Sequence, residues 1–429
     1  MARAGASRST PSAAGRFAHP FFEPPASPQL APPPAPTGLI AWNKERNLGP
    51  LPPLRNNGLI SLTDIIGAAA VAEIEQLGEL RFHALGDSGV GHAEEAERVA
   101  EDMATDYKPG AGGLNPAFLL HLGDIVYGSD KAKHYAERFY QPYRRYPGKI
   151  IAIPGNHDGE TKSPDDAPSL KDFRIHFCAE AAAVPPQAAT SGIFRETMTL
   201  PGAYWMLDAP FVRIIGLYSN RLENPGFLEG MTADGKLDTS QVDWLAKTLA
   251  SLAESPDRKA LVIATHHPAY SQGGHSGSTE MRDTIDRICK TAGVTPDLFL
   301  SGHAHNYQRY TRRTVGRQVP YAVGGTGGAS PQHVADATGQ PADGSRDTTY
   351  DRALASLGYL FITASARQLK VEFWRLGPEH TRRSTRLPSI WRRMCSPSAS
   401  MQSCPWILAH YPAIQEHAAM GCPSVSRHG

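Results

Sequence analysis

The chain has 429 residues, of which 41% are hydrophobic, and 43 Lys and Arg side chains balance 42 Asp and Glu side chains. This length and composition allow one large buried core, and the balanced charge excludes a general electrostatic attraction to nucleic acid or anionic membranes. The five cysteines contain no Cys-x-x-Cys pair, which argues against a disulfide framework and against a thiolate zinc site.

The N-terminal part of the sequence predicts little regular structure. Residues 1–37 are rich in Ala, Pro and Ser, and such a composition buries too little apolar surface to offset the entropy of ordering, so we expect a disordered leader. No apolar stretch follows the early arginines, which argues against a secretory signal. Residues 38–78 include a partly apolar stretch at 60–74, and we expect them to form a lead-in arm that packs against the main domain.

Residues 79–376 alternate strand-like apolar runs with helix-like segments, which is the pattern of an α/β fold. Apolar residues at helical spacing predict two amphipathic helices, one through Ala93, Ala96, Val99 and Met103 and another through Val242, Leu245, Leu249 and Leu252. Two runs at 204–207 and 211–218, joined by a short turn, indicate a β-hairpin. Later runs predict the closing strands of a second sheet, at 321–323, 359–363 and 369–374.

Residues 377–429 lose this periodicity. They collect arginines, prolines and three of the five cysteines without a helical stripe, so we expect an irregular, disordered basic tail outside the fold. The sequence contains no uninterrupted apolar run of about 18 residues, so no membrane span is predicted. A cytoplasmic location is the resulting expectation.

Four apolar runs end in a similar way, with a glycine followed by a side chain that can bind a metal ion. The pairs are Gly86-Asp87, Gly123-Asp124, Gly155-Asn156 and Gly302-His303, and a fifth run ends in His266-His267. A glycine at the end of a buried strand allows a tight turn and a close backbone approach, so the next side chain projects into a crevice at the carboxyl edge of the sheet. The repetition therefore predicts that several strands direct their ligands to one place.

These side chains supply the ligand types that a two-metal centre needs. Carboxylate, amide and imidazole ligands are provided by Asp87, Asp124, Asn156, His266, His303 and His305. Two divalent or trivalent metal ions need a bridging carboxylate together with oxygen and imidazole ligands on each side, and this set supplies both kinds of ligand.

The order of the motifs resembles that of the calcineurin-like metallophosphoesterase superfamily. The first motif of that family is usually Asp-x-His, whereas here Asp87 is followed by Ser88 and Gly89. Purple acid phosphatases instead combine Gly-Asp-x-Gly with Gly-Asp-x-x-Tyr, and this chain matches both motifs at 86–89 and 123–127. The other motifs match as Gly155-Asn156-His157-Asp158, Ile263-Ala264-Thr265-His266 and Gly302-His303-Ala304-His305.

The resemblance implies a fold and a set of metal ligands. The implied fold is a four-layer α/β/β/α sandwich over residues 79–376, with two mixed β-sheets and the ligands on loops at the carboxyl ends of strands. The implied iron-type site consists of Asp87, Tyr127 and His305, and the second site consists of Asn156, His266 and His303, with Asp124 bridging the two metals.

The identity of the first metal depends on Tyr127. A phenolate ligand favours Fe(III), whereas the amide and the two imidazoles of the second site suit Zn, Mn or Fe(II). The alternative for Tyr127 is a core tyrosine near the site that contacts no metal.

The implied chemistry is the metal-dependent hydrolysis of phosphate esters, in which a hydroxide held between the metals attacks phosphorus in line. His157 would contact the substrate or protonate the leaving group, and His275 is the other candidate for the proton donor. The side chains expected to face the substrate are Asn156, His157, His267 and His275. A merely solvated loop histidine is the alternative for His275.

The main hypothesis is therefore a phosphomonoesterase of the acid-phosphatase type that acts on a small phosphorylated substrate. A nucleotide phosphodiesterase or other phosphodiesterase on the same scaffold is one alternative, and an inactive metal-binding interaction protein is another. The sequence lacks interleaved basic and aromatic stripes, which argues against long nucleic acids as partners. No motif indicates the physiological substrate or the oligomeric state.

Overall fold

The computed structural model describes residues 50–90, 93–162, 164–232, 234–314, 317–339, 346–377, 385–393 and 406–409. The expected leader, residues 1–37, lies outside the described residues. Residues 50–78 of the expected lead-in arm are described. Of the expected tail, the structure describes residue 377 and the segments 385–393 and 406–409.

The strands are numbered here in chain order. They are β1 (Leu59–Ser61), β2 (Glu79–Leu85), β3 (Phe118–His121), β4 (Lys149–Ala152), β5 (Trp205–Ala209), β6 (Val212–Gly216), β7 (Gly230–Met231), β8 (Leu237–Asp238), β9 (Ala260–Thr265), β10 (Gln272–Gly273), β11 (His275–Ser276), β12 (Leu298–Ser301), β13 (Tyr307–Thr314), β14 (Arg317–Gly324), β15 (Thr348–Leu354), β16 (Gly358–Ser365), β17 (Gln368–Arg375), β18 (Thr385–Arg393) and β19 (Trp406–Ala409).

The helices are likewise numbered in chain order. They are α1 (Leu62–Ile66), α2 (Ala68–Leu77), α3 (Ala93–Ala104), α4 (Lys131–Tyr135), α5 (Asn156–Gly159), α6 (Lys171–Phe177), α7 (Pro186–Ala189), α8 (Ser240–Glu254) and α9 (Thr279–Ala292). Short 3-10 turns lie at Asn56–Gly58, Gly112–Leu114 and Pro164–Asp166, and a π-helical segment, Ala136–Tyr140, follows α4.

Both amphipathic helices expected from the sequence are present. In α3 the residues at helical spacing, Ala96, Val99 and Met103, are fully buried. In α8 the residues Leu245 and Leu249 are fully buried, and α8 packs against α9. The apolar stripe thus determines which face of each helix joins the core.

The larger sheet has the strand order β1-β5-β6-β9-β12-β14-β13-β15. Strands β6, β9, β12 and β14 run parallel, so their carboxyl ends lie at one edge. The expected hairpin is present as β5 and β6, which pair antiparallel. The lead-in arm contributes β1, which pairs with β5 and buries Ile60.

The smaller sheet has the order β19-β18-β17-β16-β2-β3-β4. Its strands β2, β3 and β4 run parallel, while β16 pairs antiparallel with β2. The expectation of a second sheet built from late strands is therefore only partly met, since residues 359–363 and 369–374 join the first strands of the domain and residues 321–323 belong to the larger sheet. An apolar run predicts a strand, but it does not specify a distant partner.

The segment after residue 377 differs from the irregular tail that we expected. Within the described residues, Thr385–Arg393 pairs antiparallel with β17 along its whole length, and Trp406–Ala409 pairs with β18. Without β18, the backbone of β17 would present an edge with unpaired N–H and C=O groups, and such an edge accepts another strand irrespective of helical periodicity. The search for a helical stripe therefore missed this pairing.

The two sheets pack against each other through one hydrophobic core. Tyr307 of the larger sheet stacks on Phe373 of the smaller sheet with ring centroids 4.2 Å apart. The Trp205 indole Nε1 of the larger sheet donates a hydrogen bond to the Ala152 carbonyl of the smaller sheet at 3.0 Å. This mixed α/β arrangement with two large sheets agrees with the expected fold class. In the part of the chain that the structure describes, the helices are too short or too polar to cross a membrane.

Candidate metal centre

The candidate ligands converge where the two sheets meet. Asp87, Asp124 and Asn156 follow the parallel strands β2, β3 and β4 of the smaller sheet. His266 and His303 follow the parallel strands β9 and β12 of the larger sheet. These five residues are at most 2% exposed, so the centre lies at the bottom of the crevice between the sheets.

The turns that carry the ligands adopt an unusual backbone conformation. Asp87, Asp124 and His303 have φ angles of 63°, 57° and 68°, in the left-handed region that costs a non-glycine residue about 1 kcal/mol or more. The preceding glycine at Gly302 allows close packing, because a Cβ atom there would lie 2.7 Å from the Asp87 Oδ2 atom. The sequence pattern thus marks a strained turn in which the ligand residue itself takes the unfavourable φ.

The first group of candidate ligands is Asp87, Tyr127 and His305. The Tyr127 hydroxyl lies 3.2 Å from the Asp87 Oδ1 atom and 3.3 Å from the His305 Nε2 atom. The His305 Nε2 atom lies 3.5 Å from the same Asp87 oxygen. The second carboxylate oxygen, Asp87 Oδ2, accepts the His303 backbone N–H at 2.8 Å. Three atoms that can bind a metal ion therefore lie close together, and the backbone of His303 fixes the orientation of the Asp87 carboxylate.

Gly89 explains why a tyrosine belongs to this group. The Gly89 carbonyl accepts the Tyr127 N–H at 3.1 Å, and the Gly89 N–H bonds to the Asp124 carbonyl at 3.2 Å. A Cβ atom at Gly89 would lie 2.0 Å from the Ile125 carbonyl oxygen, far inside van der Waals contact. A histidine at position 89 therefore does not fit this backbone, and the same backbone contact brings Tyr127 to the centre.

The second group is Asn156, His266 and His303. The His266 Nε2 atom lies 3.1 Å from the Asn156 Oδ1 atom, and its Nδ1 atom is held by the Leu122 carbonyl at 2.8 Å. The His303 ring bonds to the backbone of Glu223, whereas its buried Nε2 atom has no hydrogen-bond partner among the described residues. Both imidazoles are thus oriented by a backbone bond on one nitrogen and present the other to the centre, as metal-ligating histidines do.

Asp124 lies between the two groups. Its Oδ2 atom is 3.3 Å from the His266 Nε2 atom, and its Oδ1 atom accepts the His157 N–H at 3.0 Å. Asp124 also interacts with the Tyr127 hydroxyl of the first group. Ligand atoms of Asp124, His266 and His303 lie within 4.8 Å of one another. This is the position that a bridging carboxylate requires.

The electrostatics of the centre favour a bound cation. Burial opposes ionisation of Asp124, but His266 and His157 outweigh it and hold the pKa of the Asp124 carboxyl below its ordinary value. Burial and the neighbouring histidines lower the pKa of His303 well below its ordinary value. Asp124 is therefore ionised and His303 neutral, which are the states in which carboxylates and imidazoles bind metal ions.

The pKa values of two further groups, His266 and Tyr127, also reflect the negative charge of the buried carboxylates. Burial disfavours a charged His266, yet the carboxylates of Asp124 and Asp87 outweigh it and raise the pKa of His266 to about 9. Burial and the same two carboxylates raise the pKa of Tyr127 well above its ordinary value. A proton on His266 thus partly neutralises two buried carboxylates, and a metal ion would take over that role. The ligand set therefore fits the binding of metal ions that we expected from the sequence.

His157 lies at the open side of the centre, and its side chain is 19% exposed. Its Nδ1 atom bonds to the Glu160 carboxylate at 3.0 Å, and its Nε2 atom lies 4.0 Å from the Asp124 Oδ2 atom. The ring packs on Tyr127 with centroids 4.2 Å apart. The structure thus places His157 beside the metal ligands with one ring nitrogen facing the open crevice.

Asp158 fixes the two loops that carry Asp124 and Asn156. Its carboxylate accepts the backbone N–H groups of Gly155, Ile125 and Val126 at 2.8 to 3.2 Å. Burial and the charge of Asp124 raise the pKa of Asp158 to about 6, although the three backbone bonds oppose this shift. The sequence showed Asp158 as part of a motif but gave no role, and the structure supplies one.

His275 also lies at the open side, on the short hairpin of β10 and β11. Its ring packs on His303 with centroids 4.1 Å apart, and its Nδ1 atom lies 3.4 Å from the Glu223 Oε1 atom. The side chains of Gln308 and Asn306 bond to the Gly273 carbonyl of the same hairpin. His275 is thus held beside the candidate ligands by neighbouring polar side chains.

His267 does not occupy the place that we expected. We predicted that it faces the substrate, but it is fully buried, and both ring nitrogens are used within the protein. Its Nδ1 atom bonds to the Ser219 hydroxyl at 2.9 Å and its Nε2 atom to the Leu222 carbonyl at 2.8 Å. His266 therefore faces the centre, while His267 anchors the loop behind it.

Glu160 and Glu223 are site residues that the sequence reasoning missed. Glu160 bonds to His157 and Lys162, and Glu223 contacts His275 and Asn156 at the open side. Both lie in irregular segments without a recognisable motif. The three-residue spacing between His157 and Glu160 in one turn was the only signal in the sequence that could have indicated either contact.

The chain is similar to one protein family and to several solved structures. A model of the family "calcineurin-like phosphoesterase" matches residues 80–307. No curated protein matches the chain. The solved structures similar to it include GAP50, described as the anchor in the inner membrane complex of Plasmodium, with 14% identity, a TM-score of 0.49 and coverage of 72% of this chain and 88% of that chain.

Two further solved structures are similar over most of the chain. One is PhoD, with 12% identity, a TM-score of 0.47 and coverage of 79% of this chain and 73% of that chain. The other is a dimetal phosphatase from Danio rerio, with 10% identity, a TM-score of 0.41 and coverage of 72% and 98%. At these identities the likeness concerns the fold.

Proposed function

Because the chain belongs to the calcineurin-like phosphoesterase family, we propose that it is a metal-dependent phosphomonoesterase of the purple-acid-phosphatase-like branch. The observation that carries the proposal is the pair of ligand groups that share Asp124. Asp87 and His305 meet the Tyr127 hydroxyl within 3.5 Å, and the Nε2 atoms of His266 and His303 lie near Asp124.

The proposed centre holds two metal ions. Fe(III) would be bound by Asp87, Tyr127 and His305, because a phenolate suits a hard ion. Zn, Mn or Fe(II) would be bound by Asn156, His266 and His303, with Asp124 shared. When bound, the two ions would lower the pKa of a coordinated water near phosphorus and withdraw negative charge from the phosphoryl oxygens.

The side chains at the open side of the centre would bind and orient the phosphoryl group. The Asn156 Nδ2 atom, the His157 Nε2 atom and the His275 ring lie at this side, and fixed donors there favour the charge that develops on phosphoryl oxygens. His157 would give its Nε2 proton to the departing alkoxide, because Glu160 holds the opposite nitrogen of the ring. His275 is the second candidate for this proton donor.

The proposed substrate is a small phosphorylated molecule. The centre lies in a crevice whose open side is narrowed by His157, His275 and Glu223, which suits a single phosphate group. The chain as a whole is nearly neutral, so long-range attraction of a long nucleic acid is not expected.

The test compares the full chain with its Asp124→Asn variant. We expect purified protein to contain about two metal ions per chain and to hydrolyse an aryl phosphate. Asp124→Asn should lower kcat/KM by more than about 100-fold, because even residues that only support a metal ligand are worth about 10- to 100-fold. Metal content is measured on the same samples.

The matched control is Asp283→Asn, which makes the same chemical change in a half-exposed side chain of α9. The control should keep both metal ions and full activity. Activity unchanged in Asp124→Asn, or wild-type protein that is loaded with metal but inert towards a panel of phosphate esters, would contradict the proposed function.

A further inference from the structure

The carboxylate of Glu223 lies over the open side of the metal centre. Its Oε2 atom is 3.3 Å from the Asn156 Nδ2 atom and 4.0 Å from the His157 Nε2 atom. Its Oε1 atom is 3.4 Å from the His275 Nδ1 atom. One carboxylate thus lies beside an amide nitrogen and two imidazole nitrogens that belong to three different segments of the chain, and the His275 Nδ1 atom also lies 3.4 Å from the Asn224 Nδ2 atom.

These three nitrogens are the groups that the proposed function assigns to the substrate. A phosphoryl group carries the same kind of acceptor, an anionic oxygen, and it needs the same donors within hydrogen-bond distance. Glu223 and the phosphate would therefore share one set of donors. Since both are anions, they would also repel each other if they lay side by side.

We propose that Glu223 is a specificity-determining residue whose carboxylate occupies the position proposed for phosphate and competes with phosphate for it. This inference rests on the proposed function, because it concerns the same open side of the same centre. It assigns a role to a residue that no motif of the sequence contains.

Only the side chain of Glu223 has to move for this competition. The Glu223 side chain is 57% exposed, so it can turn into solvent when a phosphate enters. Its backbone is fixed, because the preceding Leu222 carbonyl bonds to His267 and the backbone of Glu223 itself bonds to the ring of His303. A substrate can therefore displace the carboxylate without moving the loop or the candidate metal ligand.

Glu160 provides the contrast on the other side of His157. Its carboxylate bonds to the His157 Nδ1 atom and to the Lys162 amine at 2.7 Å, and its side chain is 19% exposed. The charge of Glu160 is thus balanced by a lysine, and the side chain is held in place. In the described structure the ion-pair partners of Glu223 are histidines that the substrate also needs.

A competing carboxylate has a consequence for substrate choice. A substrate with one phosphate group displaces the Glu223 carboxylate when it binds. After hydrolysis the carboxylate returns and helps to release orthophosphate. A substrate with further negative charges near the reacting phosphate meets the exposed carboxylate as an additional repulsion. We therefore infer a preference for monophosphates with a neutral or cationic leaving group over nucleoside triphosphates.

The experiment measures orthophosphate binding to the metal-loaded protein by calorimetry, together with product inhibition by orthophosphate. Glu223→Gln should bind orthophosphate about three- to tenfold more tightly than wild type, because it removes a charge at short range in a partly screened environment. The gain should shrink in high salt, as expected for a repulsion between exposed charges. Glu223→Asp, which keeps the charge, should remain closer to wild type than Glu223→Gln.

Glu196→Gln serves as the matched control, since Glu196 is an exposed glutamate paired with Lys149 away from the centre. Its phosphate affinity should equal that of wild type. Unchanged or weaker phosphate binding in Glu223→Gln overturns the inference while leaving the proposed function intact. The loss of a metal ion in Glu223→Gln also overturns it, because the carboxylate would then be a ligand. If neither wild type nor Glu223→Gln binds orthophosphate or hydrolyses a phosphate ester, the proposed function and the inference both fail.

Discussion

At the scale of the residue, Tyr127 distinguishes this centre from the usual arrangement of the family. The usual histidine would stand at position 89, two residues after Asp87, but the close contact between Gly89 and the Ile125 carbonyl excludes a side chain there. The Tyr127 hydroxyl lies beside Asp87 and His305. Burial and the carboxylates of Asp124 and Asp87 raise the pKa of Tyr127. Its phenol therefore ionises only if a strongly charged cation is bound there.

Tyr127→Phe tests this role. The variant keeps the ring that packs on His157 and removes the hydroxyl, so we expect the first metal site to lose most of its affinity and kcat/KM to fall by at least about 10-fold. If the wild-type protein holds Fe(III), its purple charge-transfer absorption should disappear in the variant. Metal analysis and a visible spectrum provide the measurements.

Tyr107→Phe is the control for Tyr127→Phe, because its hydroxyl bonds to Tyr146 in the core beside β2 and not to a candidate ligand. A Tyr127→Phe protein with unchanged metal content, spectrum and activity would show that Tyr127 is a core tyrosine. A colourless, active enzyme loaded with zinc or manganese would argue against Fe(III) and leave the phosphoesterase proposal unaffected.

At the scale of the element, the function depends on how closely neighbouring strand-end turns approach each other. Gly89 and Asp124 join the first two turns by backbone hydrogen bonds, and Asp158 joins the second turn to the third. These bonds stabilise the positive φ angles of Asp87 and Asp124, which isolated turns would adopt only at a cost. The turns therefore behave as one connected unit.

Gly89→Ala should break this unit. The added Cβ atom would overlap with the Ile125 carbonyl, so we expect a destabilisation of about 1–3 kcal/mol or more together with loss of the first metal ion. Thermal unfolding and metal analysis test the prediction. In the control Gly192→Ala the added Cβ has no atom within 4 Å, and only the strain of its φ angle of 67° remains. A fully stable, metal-loaded Gly89→Ala protein would contradict the proposed packing of the turns.

The sequence predicted the elements that depend on local pattern. The Gly-ligand pairs identify the ends of β2, β3, β4 and β12, and the apolar stripes identify α3 and α8. What it did not predict depends on distant contacts. The pairing of β16 with β2 requires knowledge of the whole sheet, and Glu223 reaches the centre from an irregular loop. His267 was assigned wrongly because adjacency in sequence does not reveal which side a side chain faces.

At the scale of the whole molecule, the candidate centre connects the two sheets. The smaller sheet provides Asp87 and Asp124, and the larger sheet provides His266, His303 and His305. In the absence of bound metal, the charge of the buried carboxylates would be only partly neutralised by a proton on His266. Metal ions bound to the native state alone would therefore stabilise the contact between the sheets.

Removal of the metals should lower the thermal stability of the chain. If the free metal concentration is about a thousand times the Kd of a site, the ion at that site contributes about 4 kcal/mol to the stability of the native state, which chelation would remove. The melting temperature of wild type should thus fall by several degrees on chelation and recover when metal is restored. The same treatment of Asp124→Asn should have a clearly smaller effect. An unchanged melting temperature in chelated wild type would show that the sheets pack independently of metal.

The distance along the chain between the ligands has a consequence for biosynthesis. The carboxylate of Asp87 is fixed by the backbone of His303, which lies 216 residues later. During synthesis, Asp87 therefore emerges from the ribosome long before His303 and His305. The complete centre cannot assemble until both sheets have formed. Full metal loading would then report that synthesis and folding of the domain are complete, and unfinished chains would not acquire hydrolytic activity.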